Sequence, residues 1–487
     1  MTATAEVRRG TRSGAIGLVG AAVSGACGFL LTTVLTRGYG AAGAGTLFTV
    51  IGLVTIAGAV CCLGADTGLM WAIPRAGESR QPGTVRTAAA PSPFSRSSSA
   101  GGLLSVAVLP ACALAVVLAV AGIAAADPLA SALALPDPAV LRLAFAGLPV
   151  VVAATVLLAA VRATRPVTYY VGVQMVLVPV LRPVLLLAAG GGLLLGFGAW
   201  LLPMAVALLI AVVLAPRFAR PAEWRPFWSF ALPRAASVAI DASSMWVGVL
   251  LTGALAGSAE AGVFAAAGRY ALAGLLVMQG LRVAVAPRLS RLLSADRIAE
   301  AAAVYRRTTL GIVVLSWPAY LMLAVFAPAF LSLFGRDFAG GAAPLAVLAV
   351  AMLVNVGVGL VQTVLLMSGN SRGHLLAAAC GLAVNVAGCL LLIPPLGALG
   401  AAIAWSLGIV LENVLAAVLA RRVLGVLADR PVAIGALAVT LASAVAAALG
   451  VWLGGRGLAG LAIALGVLAG VGVLSLMDGR VRSVVRV

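Results

Sequence analysis

An arginine stands in the middle of the apolar stretch LVPVLRPVLLLAAG, where Arg182 is flanked by Pro179 and Pro183. Each proline removes a backbone hydrogen bond, so a helix would bend there. An ionisable residue inside an apolar span costs about 2.5–3.5 kcal/mol on insertion scales, so it indicates a function by default. A guanidinium can bind two phosphate oxygens at once, and Arg182 therefore favours a diphosphate. The alternative is that Arg182 lies nearer one membrane surface and extends its guanidinium to it.

Two further arginines lie where apolar runs end or turn. Arg37 directly follows the first apolar run, and Arg269 lies near the start of the eighth. We expect both to bind an anionic group together with Arg182, because guanidinium groups suit phosphate oxygens.

A second group of charges suits a gate or the coupling of movement to an ion. Asp241 lies within the seventh apolar run, and Arg234 and Arg282 lie near the cytoplasmic ends of the seventh and eighth. The carboxyl of Asp241 either pairs with an arginine or takes up a proton, and the sequence leaves both open. Interfacial positions explain the two arginines equally well.

Uncharged polar residues also occur inside the apolar runs. The amides of Asn355, Gln362 and Asn385 either bond neighbouring helices to one another or contact a sugar. Three other polar residues lie near predicted cytoplasmic helix ends, where a solvated role is expected: Asp66, Glu412 and Asn413.

The elements that must position these residues are long apolar helices. Hydrophobic residues make up 63% of the 487-residue chain, charged residues make up 9%, and the mean hydropathy is +1.16. Because about 20 apolar residues span a membrane, the pattern predicts an all-α polytopic membrane protein with about 14 transmembrane helices. The predicted helices, with ends uncertain by about 2–4 residues, are 13–36, 43–69, 100–126, 139–161, 167–189, 193–215, 232–256, 261–285, 309–333, 341–367, 374–394, 397–420, 432–453 and 457–476.

The arginines fix the sidedness of these helices. Of the 32 arginines, 24 fall in the terminal segments and in every second break, whereas only Arg37, Arg336 and Arg456 lie in the opposite breaks. By the positive-inside rule both termini are cytoplasmic. The predicted segments are a cytoplasmic tail at 1–12, a six-helix lobe at 13–215, an interfacial linker at 216–231, a second six-helix lobe at 232–421, helices 13 and 14 at 432–476, and a cytoplasmic tail at 477–487.

The composition excludes several classes of function. The net charge of +18 forms a cytoplasmic rim that attracts anionic lipid headgroups, so it does not indicate nucleic-acid binding. The six cysteines lie in apolar runs and His374 stands without Cys or carboxylate neighbours, so we expect no metal site and no cofactor. The breaks on the outer side hold only scattered carboxylates, and the sequence has no glycine-rich phosphate-binding loop that ends in Lys. We therefore expect that the protein is not an enzyme.

The two lobes look like the products of a duplication. Leu35-Thr36-Arg37 leads through Gly40 to Gly45, and Leu251-Thr252 leads through Gly257 to Gly262. The offset of about 216 residues corresponds to six helices, so the repeats are parallel and pseudo-symmetric. The alternative is chance similarity between Gly- and Ala-rich turns.

Several stretches resemble, in order and spacing, the bacterial polysaccharide-unit flippases of the multidrug/oligosaccharidyl-lipid/polysaccharide exporter superfamily. They are LTRGYGAAGAGTLFTV, LGADTGLMWAIPR, GVFAAAGRYA, VAPRLSRL, LFGRDFAGGAAPLAVLAVAMLV, MSGNSRGHLLA and IPPLGALGAAIAWSLG, within about residues 10–425. The resemblance implies two six-helix lobes around a central cavity, alternating access, and a lipid-linked oligosaccharide, usually on polyprenyl pyrophosphate, as substrate.

The sequence therefore predicts a flippase for a polyprenyl-pyrophosphate-linked glycan in the bacterial plasma membrane, with polysaccharide polymerase and glycosyltransferases as expected partners. The first alternative is a drug/cation antiporter of the multidrug and toxin extrusion branch, which needs an acidic cavity for cationic substrates. The predominance of arginine among the intramembrane charges favours an anion instead. A membrane glycosyltransferase or ligase is the less favoured alternative.

Overall fold

The computed structural model describes residues 3–78, 99–425 and 430–477, and these residues form helices without any strand. Arg80, Arg86 and Arg96, which fall in the break between the second and third predicted helices, and the tail from residue 478 lie outside the described residues. The α-helices are α1 (Ala3–Cys61), α2 (Ala65–Glu78), α3 (Ala100–Ala124), α4 (Ala126–Ala132), α5 (Pro138–Thr164), α6 (Val167–Tyr170), α7 (Val178–Ala188), α8 (Leu193–Leu214), α9 (Trp224–Ala256), α10 (Ser258–Ala273), α11 (Leu275–Ser294), α12 (Ile298–Val325), α13 (Ala327–Leu331), α14 (Ala342–Gly357), α15 (Val361–Met367), α16 (Ser371–Leu396), α17 (Ala398–Leu424), α18 (Arg430–Gly454) and α19 (Leu458–Met477). A π-helix (Val171–Leu177) joins α6 to α7, and two 3₁₀-helices (Ser332–Phe334 and Arg336–Gly341) lie between α13 and α14.

The protein is an all-α polytopic membrane protein. Among the described residues, 11 helical segments are long and apolar enough to cross a membrane, whereas the sequence predicts about fourteen. The stretch Ile16–Cys61 is a single one of these 11 segments. Its 46 residues correspond to about 69 Å of helix, which is more than two membrane crossings of ~30 Å. The predicted eighth helix is divided into α10 and α11, and the apolar segment Leu458–Gly472 of α19 is short.

The long first helix turns sharply at Gly40, where the backbone has φ 65° and ψ −174°. Gly257 has a closely similar conformation, with φ 90° and ψ 167°, between α9 and α10. Positive φ favours glycine, which explains the residue type at both turns. Gly45 lies so close to the Ser258 carbonyl and to Gly262 that neither glycine has room for a Cβ. The two turns thus share one backbone geometry, as the predicted duplication requires.

The predicted interfacial linker 216–231 is only partly irregular. α9 begins at Trp224, so the helix predicted to begin at residue 232 also takes in the second half of that stretch. The interfacial, cytoplasmic position of 216–231 stays a prediction. Here α9 packs against α2: Gly68 has no room for a Cβ beside Phe227 and Ala231. Tertiary packing of the aromatic residues therefore extends the helix beyond its apolar run.

Two predicted helices are broken by glycines that contact large side chains. Gly274 separates α10 from α11, and Tyr320 occupies the space where a Cβ would lie. Gly359, with φ 64°, lies between α14 and α15 and faces Thr309 in the same way. The hydroxyl of Tyr305 donates to the Val358 carbonyl, which the helix break leaves without its usual partner.

The chain divides into two compact units. Unit 1 consists of the described residues up to Tyr39 and of Thr46–Trp246, and unit 2 consists of Gly40–Gly45 and the described residues from Val247 onward. In unit 2 the α18–α19 hairpin packs on the end of α12, where Phe326, Met322 and Ala464 are buried together. Helices 13 and 14 of the sequence prediction are thus part of the second unit.

Candidate functional site

Arg182 lies in unit 1 within a continuous helical span, Val167–Ala188, that changes its winding midway. The Val178 N–H donates to the Val173 carbonyl, an i→i−5 bond, at the end of the π-helix. Pro179 follows directly; it lacks an N–H, and its ring would clash with the carbonyl four residues earlier. The wider π turn relieves that clash, and π turns occur frequently at functional sites. The structure therefore shows a change of helix type directly before Pro179, and the bend expected from the prolines stays a prediction.

Helix α8 holds the guanidinium of Arg182. The Nε of Arg182 donates to the Trp200 carbonyl at 3.2 Å, and its Cζ lies 4.2 Å from the centroid of the Trp200 ring. Trp200 itself is buried and stacks on Phe197 with 5.5 Å between ring centroids. A desolvated cation–π contact is worth about 2 kcal/mol. Arg182 is thus held against α8 and is partly buried there.

The two sides of this span differ in character. Val176, Val180 and Val184 are exposed and follow one another at intervals of four, as expected of a face toward acyl chains. Gln174 lies two residues before Val176, Arg182 lies two residues after Val180, and both are partly buried. They therefore lie on the protein-facing side of the span.

Arg269 and Arg37, the other two candidate anion-binding residues, have different surroundings. Arg269 lies on α10 in unit 2, between the buried residues Gly268 and Tyr270, and is itself partly buried. Arg37 lies on α1 in unit 1 and is exposed, three residues before the turn at Gly40. Their assignment to pyrophosphate binding stays a prediction.

The candidate gate residues are all exposed. Asp241 lies in the middle of α9, and Arg282 lies on α11. Arg234 lies near the start of α9, where its Cζ is 5.1 Å from the Phe230 ring. Phe230 stacks on Trp71 of α2 with ring centroids 4.1 Å apart. Arg234 thus belongs to an aromatic contact at this end of unit 1, and a role in gating stays a prediction.

The three candidate sugar-contacting amides lie in unit 2 and each has a partner there. The Asn413 Nδ2 donates to the Asn355 Oδ1 at 3.0 Å. The Gln362 Nε2 donates to the Glu412 Oε1 at 2.7 Å, and Cys389 Sγ lies 3.4 Å from the Asn385 Oδ1. The first two bonds join different helices, which is the geometry of the interhelical alternative. Contact with a sugar stays a prediction for Asn355, Gln362 and Asn385.

The expectation of solvated roles for Glu412, Asn413 and Asp66 is wrong. Asn413 is only 2% exposed, and Glu412 is partly buried and accepts its bond from Gln362. Gly381 makes room for Glu412, because a Cβ there would lie 2.9 Å from that of Glu412. The Oδ1 of Asp66 is buried at the start of α2, after the break at Leu63 and Gly64. These side chains are positioned by helix breaks and by small residues that face them, and the hydropathy pattern of the sequence predicts neither.

Sequence reasoning missed Gln174, Tyr39 and Trp200 as candidate site residues. Gln174 is a single amide in an apolar run that also contains Arg182 and two prolines, so the sequence already marked it as an unusual polar residue in that run. Tyr39 and Trp200 come close to the Arg182 region only through the packing of α1 and α8, which the sequence does not encode locally. Among the described residues, no three His, Cys, Asp or Glu side chains are grouped so that they could hold a metal ion.

No protein-family model matches the sequence, and no curated protein sequence matches it. Solved structures with a similar fold do exist. The lipid II flippase MurJ in an inward closed conformation has a TM-score of 0.70 at 10% identity, over 94% of this chain and 99% of that one. An inward-facing multidrug resistance MATE family transporter of the MOP superfamily has a TM-score of 0.64 at 15% identity, over 83% and 95%.

A third similar structure is a MOP superfamily transporter from Pyrococcus furiosus, for which the reverse polarity of the binding pocket suggests a different function. It has a TM-score of 0.57 at 16% identity, over 90% of this chain and 95% of that one. Together these likenesses show the fold: an all-α, multi-pass membrane architecture similar to that of these three proteins.

Proposed function

We propose that the protein is a flippase that moves a polyprenyl-pyrophosphate-linked oligosaccharide from the cytoplasmic to the outer leaflet by alternating access, for cell-surface polysaccharide or cell-wall synthesis. The observation that carries this proposal is the position of Arg182. Its guanidinium is held inside an apolar span by the ring and carbonyl of Trp200. A fixed, partly desolvated guanidinium is suited to bind a diphosphate, because its electrostatic attraction is weakly screened there.

The fold supports transport but does not select the cargo, since one fold hosts many functions. A lipid II flippase and a drug transporter both share it. The ordered sequence motifs favour the polysaccharide-unit flippases. The intramembrane arginines favour an anionic cargo, and the Pyrococcus furiosus transporter is a case in which pocket polarity suggests a different function.

One observation keeps the drug/cation antiporter as a second candidate. Asp241 is an exposed carboxylate in the middle of the 33-residue helix α9. An acidic residue in a span can attract a cationic substrate. Under the flippase proposal the same residue acts with Arg234 and Arg282 in gating or in coupling to an ion.

The remaining parts of the proposal follow from sidedness. Under this proposal the protein lies in the bacterial plasma membrane, and the distribution of arginine supports an orientation with both termini cytoplasmic. Arg269 and Arg37 contribute further positive charge toward the pyrophosphate. Anionic headgroups bind the cytoplasmic arginines, and polysaccharide polymerase and glycosyltransferases are its partners. No reaction is catalysed.

The decisive experiment reconstitutes the purified protein into proteoliposomes with a fluorescent polyprenyl-pyrophosphate-linked disaccharide and measures how much becomes accessible to an external glycosidase. We expect transport by the wild type and its loss in Arg182→Ala and Arg269→Ala. Arg182→Lys should retain only part of the activity, since lysine lacks the bidentate fork. Wild-type rates in both alanine variants would overturn the site assignment.

The matched control is Arg142→Ala. Arg142 is an exposed arginine paired with Asp127, and its Nη2 lies 2.9 Å from both carboxylate oxygens. It should transport at the wild-type rate. Export of a cationic dye by the wild type, without any movement of the lipid-linked sugar, would favour the antiporter instead.

A further inference from the structure

Two polar groups near Arg182 in unit 1 have no hydrogen-bond partner. The Oε1 of Gln174, in the π-helix, and the hydroxyl of Tyr39, on α1, are both buried and unbonded. Buried polar groups are nearly always bonded, so an exception calls for an explanation. Leaving such a group unpaired costs about 1–3 kcal/mol, and a ligand that bonded it would remove that cost.

Both groups are in positions related to Arg182. Tyr39 fills the space beside Gly196, one turn of α8 before Trp200, so it meets the same face of α8 that holds the guanidinium. Gln174 lies eight residues before Arg182, on the protein-facing side of the same span.

The π-helix makes the side chains of Gln174 and Arg182 point in more similar directions around the helix axis. In an α-helix, at about 100° per residue, side chains eight residues apart are offset by about 80°. The i→i+5 winding of Val171–Leu177 turns by only about 80° per residue. This segment covers the first half of the interval from Gln174 to Arg182, so the slower turn removes most of the offset of about 80° between the two side chains. The rise between the two positions is about 12 Å or less, a distance covered by a diphosphate and the sugar attached to it.

We infer that Tyr39, Arg182 and Gln174 form one polar row in unit 1, in which Tyr39 and Arg182 contact the pyrophosphate and Gln174 bonds a hydroxyl of the first sugar. This inference rests on the proposed function and adds the residue that distinguishes a glycosylated from a bare lipid pyrophosphate. A sugar hydroxyl both donates and accepts, so it satisfies either end of the amide. The phenol of Tyr39 supplies a donor to a phosphate oxygen.

The test measures binding by calorimetry, with the full-length protein in nanodiscs. The probes are farnesyl diphosphate and its glucosyl and galactosyl forms. We expect the wild type to bind at least one sugar-bearing probe more tightly than the bare diphosphate. Gln174→Met should weaken binding of that probe about tenfold, as for the loss of one hydrogen bond, and leave the bare diphosphate unchanged. Tyr39→Phe and Arg182→Ala should weaken binding of all probes.

A second readout separates a binding role from a structural one. Gln174→Met and Tyr39→Phe remove groups that have no partner, so both variants should unfold at the same temperature as the wild type or higher. Gln279→Met, an exposed amide on α11, is the matched control and should change neither binding nor stability.

Three outcomes would overturn the inference: sugar-bearing probes that bind the wild type no better than the bare diphosphate, a Gln174→Met variant with wild-type sugar affinity, or a lower unfolding temperature in that variant. If these occur while Arg182→Ala still loses diphosphate binding, the proposed function stands without the polar row. If the wild type binds none of the probes, the proposed function fails as well.

Discussion

The buried amides of unit 2 and the amide of Gln174 in unit 1 are the same kind of group in opposite situations. In unit 2, Asn413 bonds to Asn355 and Gln362 bonds to Glu412, so the polar groups hold helices together. In unit 1, the Oε1 of Gln174 has no partner although it is buried. The difference shows that the role of an amide in an apolar run cannot be inferred from the sequence alone, because that role depends on whether the fold supplies a hydrogen-bond partner.

The most severe disruption of the unit 2 network should come from Gly381→Ala. The new Cβ would lie 2.9 Å from both the Glu412 Cβ and the Gly408 carbonyl, and overpacking of this kind costs about 1–3 kcal/mol. We expect a lower unfolding temperature in detergent, measured by differential scanning fluorimetry. A variant as stable as the wild type would show that α16 and α17 separate easily, and that the network contributes little to their packing.

A somewhat smaller loss should follow from Asn413→Leu. Asn355 is only 7% exposed, and without its donor its amide oxygen would be left unpaired, at a cost of about 1–2 kcal/mol. The double variant Asn355→Leu/Asn413→Leu should recover part of that loss, because neither unpaired group remains. The thermodynamic cycle of the two single variants and the double variant measures the coupling. Additive effects would contradict the interhelical role.

The smallest expected effect has the opposite sign and lies in unit 1. Gly172, in the π-helix beside Gln174, has open space around its Cβ position. Gly172→Ala should therefore stabilise the protein by about 0.4–1 kcal/mol by reducing the freedom of the unfolded chain. Its comparison with Gly381→Ala in the same fluorimetric assay tests whether crowding, rather than the loss of a glycine as such, decides the sign.

Much of the fold could be predicted from hydropathy and charge. Most predicted spans coincide with described helices, such as 193–215 with Leu193–Leu214. The breaks could not be predicted in the same way. The break at Gly359 depends on Thr309 and Tyr305 from α12, and the boundary of α9 depends on aromatic packing, and neither contact leaves a periodic signal in the local sequence.

The candidate site was predictable in part. Arg182 and its prolines single out one span, because charge and proline are both rare inside apolar helices, and the structure places the π-helix in that span. The support from Trp200 was not predictable, because it requires the packing of α7 on α8. The amides Asn355 and Gln362 show the limit most clearly: their positions were apparent, but their partners on α17 were not.

The turn at Gly40–Gly45 belongs to unit 2, although the chain on both sides of it belongs to unit 1. The ribosome makes this turn long before it reaches Ser258 and Gly262, against which Gly45 packs. During synthesis this turn of the first half of the chain therefore lacks its packing surface until the second half has entered the membrane. Any fragment that ends between the halves would lack the surface that completes its own first hairpin.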